Sequence, residues 1–518
     1  MTDAAAVADA DAGQALPGVL ATMRRLLNRP VVAILAVGLI AGALRFAHLG
    51  YPKDRIFDEL YYSKSACIYL GYSNRRCDIT TPDEKYWRTD KNDTGAWVHP
   101  PLGKWAIALG ELAFGTESFG WRVSAAVFGT ATVMVLAGIV QLLFGSPIWT
   151  FAGGLLLATE SLEFVQSRVA MLDIFVTFWI ALGSLLLLLD RRWIERRTPP
   201  PAGTDPDATA GTDPGAGAPA GASVTGSPAT EARSTRRVPS PFFRPWRIAS
   251  GVAFGAAFAT KWSGITGVAG ALALSFLWEV VRRHRAGVRH PLWNALQWES
   301  FPLVVFFLAV PAVVYVASYL GWFLHFGFHW RDWMRLQGDM ASYHEHLKSV
   351  NAEGKPIHPY LAQAWKWILL WRPVLYFARY GEDVRHVIYA NGNPAIFWGS
   401  ILAVPYAAFA WGRKRDWRAG FAVLTVAALY LPWFLVSRPQ FFFYATPITP
   451  FFVLACVYGL RDMADAHIAG SRSRPWLPVA VGLVVLSVIL FVWFWPVLTG
   501  GPVSNSAFRL RAWFPSWV

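Results

Sequence analysis

Two adjacent carboxylates are the residues of this chain best suited to chemistry. Asp58 and Glu59 lie in the segment 56–104, which follows the first long apolar run. A carboxylate can act as a general base by accepting the proton of an attacking hydroxyl group. Neighbouring residues of a helix point about 100° apart, so only one of the two acids can face a given substrate atom. We therefore predict one base and one positioning acid; the alternative is a solvated helix start that the helix dipole favours.

Four cations have the chemistry to hold a phosphate group. A departing phosphate gains negative charge in the transition state, and fixed guanidinium or ammonium donors stabilise that charge. Charged side chains near the ends of membrane spans are costly and are therefore functional candidates, although lysine and arginine also extend to lipid head groups without any such role. The four candidates are Arg122, Arg168, Lys261 and Arg438.

Three further polar residues accompany these groups. Asp173 is predicted to hold Arg168 or a backbone group rather than to act as a second base. His99 precedes two prolines and is predicted mainly to fix a rigid turn, while Lys104 closes the same segment. The sequence has no spacing of cysteine, histidine or aspartate typical of a metal site and no glycine-rich nucleotide loop. We predict no structural metal and no certain cofactor, and we leave the need for a divalent cation open.

The composition requires these residues to work at a membrane. Of 518 residues, 54% are apolar and 15% are charged, against about 25% charged in soluble proteins. The 27 Trp and 17 Tyr suit aromatic belts at two interfaces. The net charge of +14 comes from basic clusters between apolar runs. That pattern indicates membrane topology and contact with anionic lipids, not nucleic acid.

The apolar runs predict an all-α polytopic integral membrane protein with about 11 transmembrane helices. Arginines before the first run place the N-terminus in the cytoplasm, and that run is predicted to be an uncleaved anchor. Every dense basic cluster then falls on the cytoplasmic side, and the C-terminus lies outside. The candidate spans are 31–50, 121–143, 148–166, 169–189, 247–260, 263–281, 301–321, 394–411, 419–436, 440–460 and 477–497.

This threading also predicts the organisation of the chain. A disordered cytoplasmic tail precedes two membrane halves, each with one long extracytoplasmic loop. A flexible cytoplasmic linker rich in Pro, Ala and Gly separates the two halves. In order these parts are the tail 1–30, the half 31–197 with loop 51–120, the linker 198–246, the half 247–497 with loop 322–393, and the extracytoplasmic tail 498–518. The candidate site residues collect on the extracytoplasmic side. Cys67 and Cys77 share the first loop, and both a disulfide and two free thiols remain open.

An ordered set of motifs resembles the protein O-mannosyltransferases, in their actinobacterial branch, which belong to the GT-C class of membrane glycosyltransferases. The set runs through most of the chain between 31 and 497, so it is more specific than any one motif. The motifs are Phe57-Asp58-Glu59-Leu60-Tyr61-Tyr62, His99-Pro100-Pro101-Leu102-Gly103-Lys104, Trp121-Arg122-Val123-Ser124-Ala125, Ser167-Arg168 with Leu172-Asp173, Thr260-Lys261-Trp262, His358-Pro359-Tyr360, Arg372-Pro373, and Phe443-Tyr444 with Pro447.

The resemblance implies a GT-C fold and an inverting transfer of mannose from a polyprenyl-phosphate carrier to Ser or Thr of secreted proteins. It implies an enzyme in the plasma membrane, with its active site on the extracytoplasmic face. By the same resemblance, Asp58 ranks before Glu59 as the base, and Arg122 corresponds to an essential arginine. The other carried-over residues are Arg168 and Lys261 near the donor phosphate and, more weakly, Arg438 and Tyr444.

One departure from the family and two alternative functions accompany this interpretation. The loop 322–393 is too short for the β-trefoil domain of eukaryotic members. Acceptor selection then rests on membrane-surface loops or on delivery of the unfolded chain by the secretion machinery. The first alternative is another lipid-phosphate-dependent GT-C enzyme that acts on lipid or cell-wall glycan. The second is a transporter or flippase, which would place its ionisable residues near the bilayer midplane.

Overall fold

The computed structural model describes residues 29–79, 97–198, 240–467 and 474–517. Most of the predicted tail 1–30 and linker 198–246 therefore lies outside the described residues. Eight of the described helical segments are long and apolar enough to cross a membrane. They are Ser118–Phe144, Leu172–Glu195, Trp262–Arg285, Pro291–Ser318, Pro394–Lys414, Trp417–Leu435, Phe442–Asp465 and Leu477–Thr499. Two shorter apolar helices, Pro30–Phe46 and Pro147–Ala158, accompany them; the total of about eleven spans stays a prediction.

The N-terminal half contains one helix break that the apolar pattern conceals. The predicted span 148–166 is two helices, because Glu160 interrupts it and its carboxylate accepts hydrogen bonds from the backbone N–H groups of Leu162 and Glu163 at 3.2 and 2.8 Å. Such a carboxylate satisfies the free N–H groups at the start of the second helix. The helices are α1 (Pro30–Phe46), α2 (Glu59–Tyr69), α3 (Leu102–Phe114), α4 (Ser118–Phe144), α5 (Pro147–Ala158), α6 (Ser161–Gln166) and α7 (Leu172–Glu195).

The C-terminal half has one long helix that begins earlier than predicted. The predicted span 301–321 is already helical from Pro291, and a π-turn at Val305–Ala309 separates its two parts. The helices are α8 (Pro245–Thr260), α9 (Ile265–Arg285), α10 (Pro291–Val304), α11 (Val310–Ser318), α12 (Leu320–Phe326), α13 (Trp330–His346), α14 (Ala364–Trp367), α15 (Pro394–Lys414), α16 (Trp417–Tyr430), α17 (Thr449–Asp465), α18 (Leu477–Thr499) and α19 (Asn505–Arg509).

A small antiparallel sheet departs from the purely helical architecture expected from the sequence. Its strands are β1 (Val374–Tyr380), β2 (Val384–Ala390) and β3 (Pro502–Ser504), in the order β1-β2-β3. The register shifts between Leu375 and Phe377, which leaves Tyr376 as the extra residue of a bulge. A bulge turns a side chain away from the regular alternation of a strand and is common beside active sites.

The interior of the bundle forms around α7, which packs against α4 on one side and α8 on the other. Phe175 and Phe178 of α7 meet the ring of Phe128 edge-on, at centroid distances of 4.9 and 4.8 Å. A Cβ atom at Gly183 would lie 2.8 Å from the ring of Phe254, so glycine is required for α7 and α8 to approach this closely. Helices α7 and α8 are thereby held in fixed register, and each carries a candidate site residue at one end.

The segment 51–120, predicted as an outer loop, is itself built from packed helices. It contains α2 and α3, and the end of α2 is tied to the following turn by a disulfide between Cys67 and Cys77. The sequence left that disulfide open, and the structure forms it. The aromatic ring of Tyr69 lies 4.9 Å from Trp105 of α3, so the two helices share an aromatic contact. This segment therefore presents its first residues from a firm support.

Candidate active site

The two adjacent acids lie at the start of α2, directly after a residue with left-handed backbone. Phe57 has a φ angle of 49°, a conformation that costs a non-glycine residue roughly 1–2 kcal/mol. Its ring stacks on the bulged Tyr376 of β1 at 4.5 Å and meets Phe443 edge-on at 5.6 Å. Strained backbone persists only where the surroundings hold it, and it is frequent at functional sites. These aromatic contacts therefore fix how the chain enters α2.

Glu59 is fully buried, and its carboxylate is saturated by donors from the protein. Arg122 donates from Nε to Oε1 and from Nη2 to Oε2, both at 2.7 Å. The backbone N–H of Ala170 also donates to Oε1 at 2.9 Å, and that of Ile56 donates to Oε2 at 3.0 Å. Two oxygens that each accept two hydrogen bonds have no further acceptor capacity. Glu59 is therefore a positioning acid in this arrangement.

Arg122 is equally saturated, which corrects its predicted contact with the donor phosphate. Besides the bidentate pair with Glu59, its Nη1 donates to the carbonyls of Leu49 and Pro52 at 3.3 and 2.7 Å. Its Nη2 also donates to the carbonyl of Asp54 at 3.1 Å. The side chain has no exposed surface. Arg122 therefore binds the turn before α2 to Glu59, and no N–H of its guanidinium is left for a phosphate.

Arg168 also has a structural position in place of the predicted phosphate contact. Its Nη1 donates to the carbonyls of Leu44, Arg45 and Ala47 at 3.1, 2.8 and 2.7 Å, and its Nη2 donates to that of His48 at 3.4 Å. The last carbonyls of a helix have no partner within the helix. Arg168 satisfies those at the end of α1, so it caps this helix from another part of the chain.

Asp58, in contrast, remains half-buried with most of its carboxylate unengaged. Its one side-chain hydrogen bond among the described residues is a long one of 3.5 Å, donated by the hydroxyl of Tyr62. Burial raises the pKa of Asp58 to about 6; the ammonium of Lys261 opposes this rise and the carboxylate of Asp173 adds to it. A carboxylate with a pKa near the working pH can both hold and release a proton efficiently. Asp58 is therefore the acid that can act as a base.

Lys261 and Asp173 form a buried ion pair next to Asp58. The ammonium lies 2.9 and 3.0 Å from the two carboxylate oxygens of Asp173, at the start of α7. Lys261 occupies the extended residue between α8 and the helical turn that leads into α9. Its ammonium is also 4.5 Å from the ring centroid of Tyr444, within cation–π range. Asp173 was predicted to hold Arg168 or a backbone group; in the structure its carboxylate pairs with Lys261.

Arg438 approaches the same place from the opposite side. Its Nη1 donates to Nδ1 of His344 at 3.0 Å, and its Nη2 donates to the hydroxyl of Tyr444 at 3.4 Å. Nε2 of His344 donates to the carbonyl of Val98 at 2.8 Å, which assigns the neutral tautomer. Burial and the charge of Arg438 lower the pKa of His344 to about 4. The buried Nε of Arg438 has no partner within the described part of the chain and can bind an anion.

His99 and Lys104 support this arrangement from the turn before α3. The rings of His99 and His344 stack at 5.3 Å, and Nζ of Lys104 donates to the carbonyl of His99 at 2.8 Å. Burial, reinforced by nearby cations such as Lys261, holds the pKa of His99 well below its usual range. The predicted scaffolding role of the His-Pro-Pro turn agrees with these contacts, because a neutral, buried ring packs rather than titrates.

A cavity of about 290 Å³ opens beside these cations. Its wall combines two cations, two neutral histidines and aromatic faces, contributed by His99, Lys261, Trp262, His344, Trp433 and Arg438. Asp58 does not line it but interacts electrostatically with Lys261, which does. A pocket with a few converging polar groups in apolar walls is suited to one small, charged ligand. Cationic and aromatic walls together suit a phosphate attached to a sugar.

The structure thus divides the predicted site residues into two groups. The residues that come together at the cavity and its edge are Asp58, His99, Asp173, Lys261, Arg438 and Tyr444, and Lys104 supports His99. Glu59, Arg122 and Arg168 form the support beneath α2 and α1 instead.

Sequence reasoning missed two residues of this site. His344 lies on α13, where no local pattern distinguishes it from the neighbouring polar residues. Tyr62 belongs to the motif that begins at Phe57, and its spacing of four from Asp58 places both on one face of a helix; this spacing could have identified it.

As to metals, no group of three or more His, Cys, Asp or Glu side chains within the described residues could hold an ion. The predicted lack of a structural metal stays a prediction.

The fold is that of a membrane-embedded glycosyltransferase of the GT-C class. It matches the structure of a Saccharomyces cerevisiae protein O-mannosyltransferase complex bound to the sugar donor with a TM-score of 0.69, over 96% of this chain and 94% of that chain. The two sequences are 13% identical in this alignment, so this likeness establishes the architecture alone.

Sequence comparison then identifies the family. Residues 35–196 match the dolichyl-phosphate-mannose-protein mannosyltransferase family, and residues 329–517 match the C-terminal four-helix membrane region of protein O-mannosyltransferases. A polyprenol-phosphate-mannose–protein mannosyltransferase of Mycobacterium tuberculosis is 31% identical over 517 residues, covering 93% of this chain and 90% of the relative. A Corynebacterium glutamicum protein of the same name is 28% identical over 459 residues, or 82% of each chain. The chain belongs to the protein O-mannosyltransferase family, which confirms the predicted resemblance.

Proposed function

We propose that this chain transfers mannose from polyprenyl-phosphate-mannose to Ser and Thr hydroxyls of secreted proteins, with inversion of the sugar linkage. The names of its relatives and its membership of the family support both the lipid-linked donor and the protein acceptor. The single structural observation that carries the proposal is the contrast between the two adjacent acids. Glu59 is saturated and buried, whereas Asp58 is half-buried and interacts electrostatically with Lys261 of the cavity wall.

In this mechanism Asp58 is the general base. The acceptor hydroxyl gives its proton to the Asp58 carboxylate while its oxygen attacks C1 of the mannose. The bond between C1 and the phosphate oxygen breaks, and the electron pair leaves with polyprenyl phosphate. Tyr62 and Lys261 orient the carboxylate and keep it ionised near neutral pH, while Glu59 holds the backbone that carries it.

The departing phosphate is assigned to Lys261 and Arg438. An ammonium has three N–H donors, and the pair with Asp173 leaves one for an anion. Arg438 contributes its unpartnered Nε, and the neutral His344 holds its Nη1 in place. Donors that are fixed before the reaction stabilise the new charge without reorganising. We infer that Tyr444, which contacts both cations, sets the distance between them.

We further propose that the active site faces the extracytoplasmic side of the plasma membrane. The disulfide Cys67–Cys77, which lies in the segment that carries Asp58, is typical of an oxidising compartment. The basic residues at the other ends of α7 and α9 follow the positive-inside rule. We also propose that acceptors reach that side unfolded, delivered by the secretion machinery. Loss of glycosylation when export is uncoupled would support that partnership.

A cell-free assay separates this function from its alternatives. Membranes containing the protein are supplied with labelled polyprenyl-phosphate-mannose and one of three acceptors: a Ser/Thr-rich peptide, the same peptide with every Ser and Thr replaced by Ala, or a lipid extract. We expect label in the first peptide alone. Label in the lipid extract alone would assign the chain to lipid or cell-wall glycan synthesis instead.

The transporter alternative needs a variant as well as an acceptor. Asp58→Asn keeps the size of the side chain but cannot accept the hydroxyl proton, so peptide labelling should disappear. Asp54→Asn, a change of the same kind at an exposed acid four residues away, serves as the matched control and should retain full activity. If Asp58→Asn and Glu59→Gln both leave peptide labelling intact, the enzyme mechanism in this form is refuted.

A further inference from the structure

A second and larger cavity lies at the opposite ends of the helices that build the candidate active site. Asp173 and Asp190 belong to the same helix, α7, and their separation of 17 residues corresponds to about 25 Å along its axis. The first aspartate meets the candidate active site and the second lines the larger cavity, which measures about 630 Å³. It is bounded by the far ends of α7, α8 and α9. The two cavities therefore occupy opposite sides of one membrane-spanning layer.

The wall of the second cavity carries an excess of positive charge. Six arginines line it against three carboxylates. Those carboxylates are already engaged: Asp190 accepts from Nε of Arg244 at 2.9 Å, and Glu279 accepts from Nη1 of Arg244 at 3.1 Å and Nη2 of Arg247 at 3.0 Å. Glu195 is paired with Arg191 at 2.8 Å. Glu299, just outside the lining, also pairs with Arg247 and Arg283, at 2.9 Å each. Four carboxylates therefore face six arginines, and an excess of two positive charges has no counter-ion among the described residues.

Two buried donors in this wall have no partner among the residues that the structure describes. They are Nε of Arg191 and Oγ of Ser275, whose residues are 8% and 2% exposed. The guanidinium of Arg191 is held between two indole rings, 4.9 Å from Trp278 and 4.0 Å from Trp417. A buried donor without a partner costs free energy, and an acceptor supplied by a ligand removes that cost. Both donors therefore indicate an anion in the cavity.

We propose that this cavity binds the phosphate group of an acidic phospholipid. Its position at a membrane-facing end of the bundle brings it level with lipid head groups, and basic pockets between spanning helices recognise such groups. Ile194 and Val281 add apolar wall beside the arginines, which suits the glycerol part of a lipid. Arg285 lines the cavity from an exposed position and attracts the incoming head group. Free phosphate shares the chemistry but would make no use of the apolar wall.

Thermal denaturation of the purified full chain in detergent tests the proposal directly. The probes are short-chain phosphatidylglycerol, phosphatidylcholine of the same chain length, and inorganic phosphate. A ligand that binds the folded state raises the midpoint in a concentration-dependent way. We expect a saturable rise with phosphatidylglycerol alone. An equal rise with phosphatidylcholine overturns the anion site, and an equal rise with inorganic phosphate overturns the lipid as its source.

Variants locate the binding. Arg285→Gln removes one charge from an exposed position, and Ser275→Ala removes one unpartnered hydroxyl, so neither disturbs a pair within the protein. Arg285→Gln should weaken phosphatidylglycerol binding about tenfold, the size expected for one charged hydrogen bond. Arg413→Gln, a matched change at an exposed arginine of α15 outside the cavity, should leave binding unchanged. Equal losses in Arg285→Gln and Arg413→Gln would show a general surface attraction and refute the site.

Discussion

Exchanging each of the two adjacent acids for its amide should separate catalysis from stability. Asp58→Asn removes the proton acceptor, and loss of a general base lowers the rate by roughly 10²–10⁴-fold. The change costs little stability, because the one hydrogen bond that the Asp58 carboxylate accepts from the described residues is a long one from Tyr62. We therefore expect kcat/KM for peptide mannosylation to collapse while the thermal midpoint of the purified protein stays where it is.

Glu59→Gln should instead lower the stability of the protein, and it should reduce activity mainly through that loss. Each Glu59 oxygen accepts two hydrogen bonds, from Arg122 and a backbone N–H in both cases. An amide nitrogen in either position would therefore face two donors, and the buried Arg122 would lose its counter-ion. Breaking a buried ion pair in this way costs about 3–5 kcal/mol. The thermal midpoint should fall markedly, and residual activity should track the fraction of folded protein.

Both measurements use the same two preparations. Mannosyl transfer to a Ser/Thr-rich peptide gives the rate, and denaturation in detergent gives the midpoint. Asp54→Asn at an exposed acid is the control for both. The reasoning is refuted if Asp58→Asn retains the wild-type rate, or if Glu59→Gln keeps the wild-type midpoint while losing activity, because Glu59 would then be the base.

Three further predictions address pH, the donor phosphate and the disulfide. The pKa of Asp58 is raised to about 6, so the base is protonated at lower pH. We expect kcat/KM to be level above pH 6 and to fall about tenfold per pH unit below it. A profile that stays level down to pH 4 would contradict this role. The lysine of Arg438→Lys cannot keep both the contact that Nη1 makes with His344 and a free Nε. We therefore expect kcat/KM for the lipid donor to fall at least about tenfold. The control Arg335→Lys, on the exposed face of α13, should leave kcat/KM unchanged. Replacing Cys67 and Cys77 together by Ser opens a link across a sequence separation of 10 and should cost about 2–4 kcal/mol in unfolding free energy, measured by denaturation; an unchanged midpoint would show that the link does not stabilise this segment.

The membrane architecture was predictable because it depends on local composition. Runs of about twenty apolar residues indicate spans whatever their neighbours are, and the long helices α4, α7 and α18 follow such runs closely. The strands of the sheet were missed although they carried a signal. Val374–Tyr380 and Val384–Ala390 are rich in β-branched and aromatic residues and are separated by a turn that contains glycine.

The roles of the site residues depend on contacts that the sequence does not contain. Arg122 and Lys261 are both single cations near span ends, and no local feature shows that the first is saturated by Glu59 and backbone carbonyls while the second keeps a donor for a ligand. The division between Asp58 and Glu59 likewise depends on the backbone at Phe57, which a ring 319 positions away in the chain, that of Tyr376, holds in place. Residue type predicted the candidates, and packing decided which of them can react.

The three-stranded sheet has a consequence for the biosynthesis of the protein. Tyr376 of β1 supports the turn before Asp58, and β1 pairs with β2, whose other edge is completed by Pro502–Ser504. Those three residues leave the ribosome about 440 positions after Asp58, which at cellular rates of translation is roughly 20–90 s. During that interval the acid is already made but its support is incomplete. The enzyme therefore gains its activity late in its own synthesis, when the sheet closes.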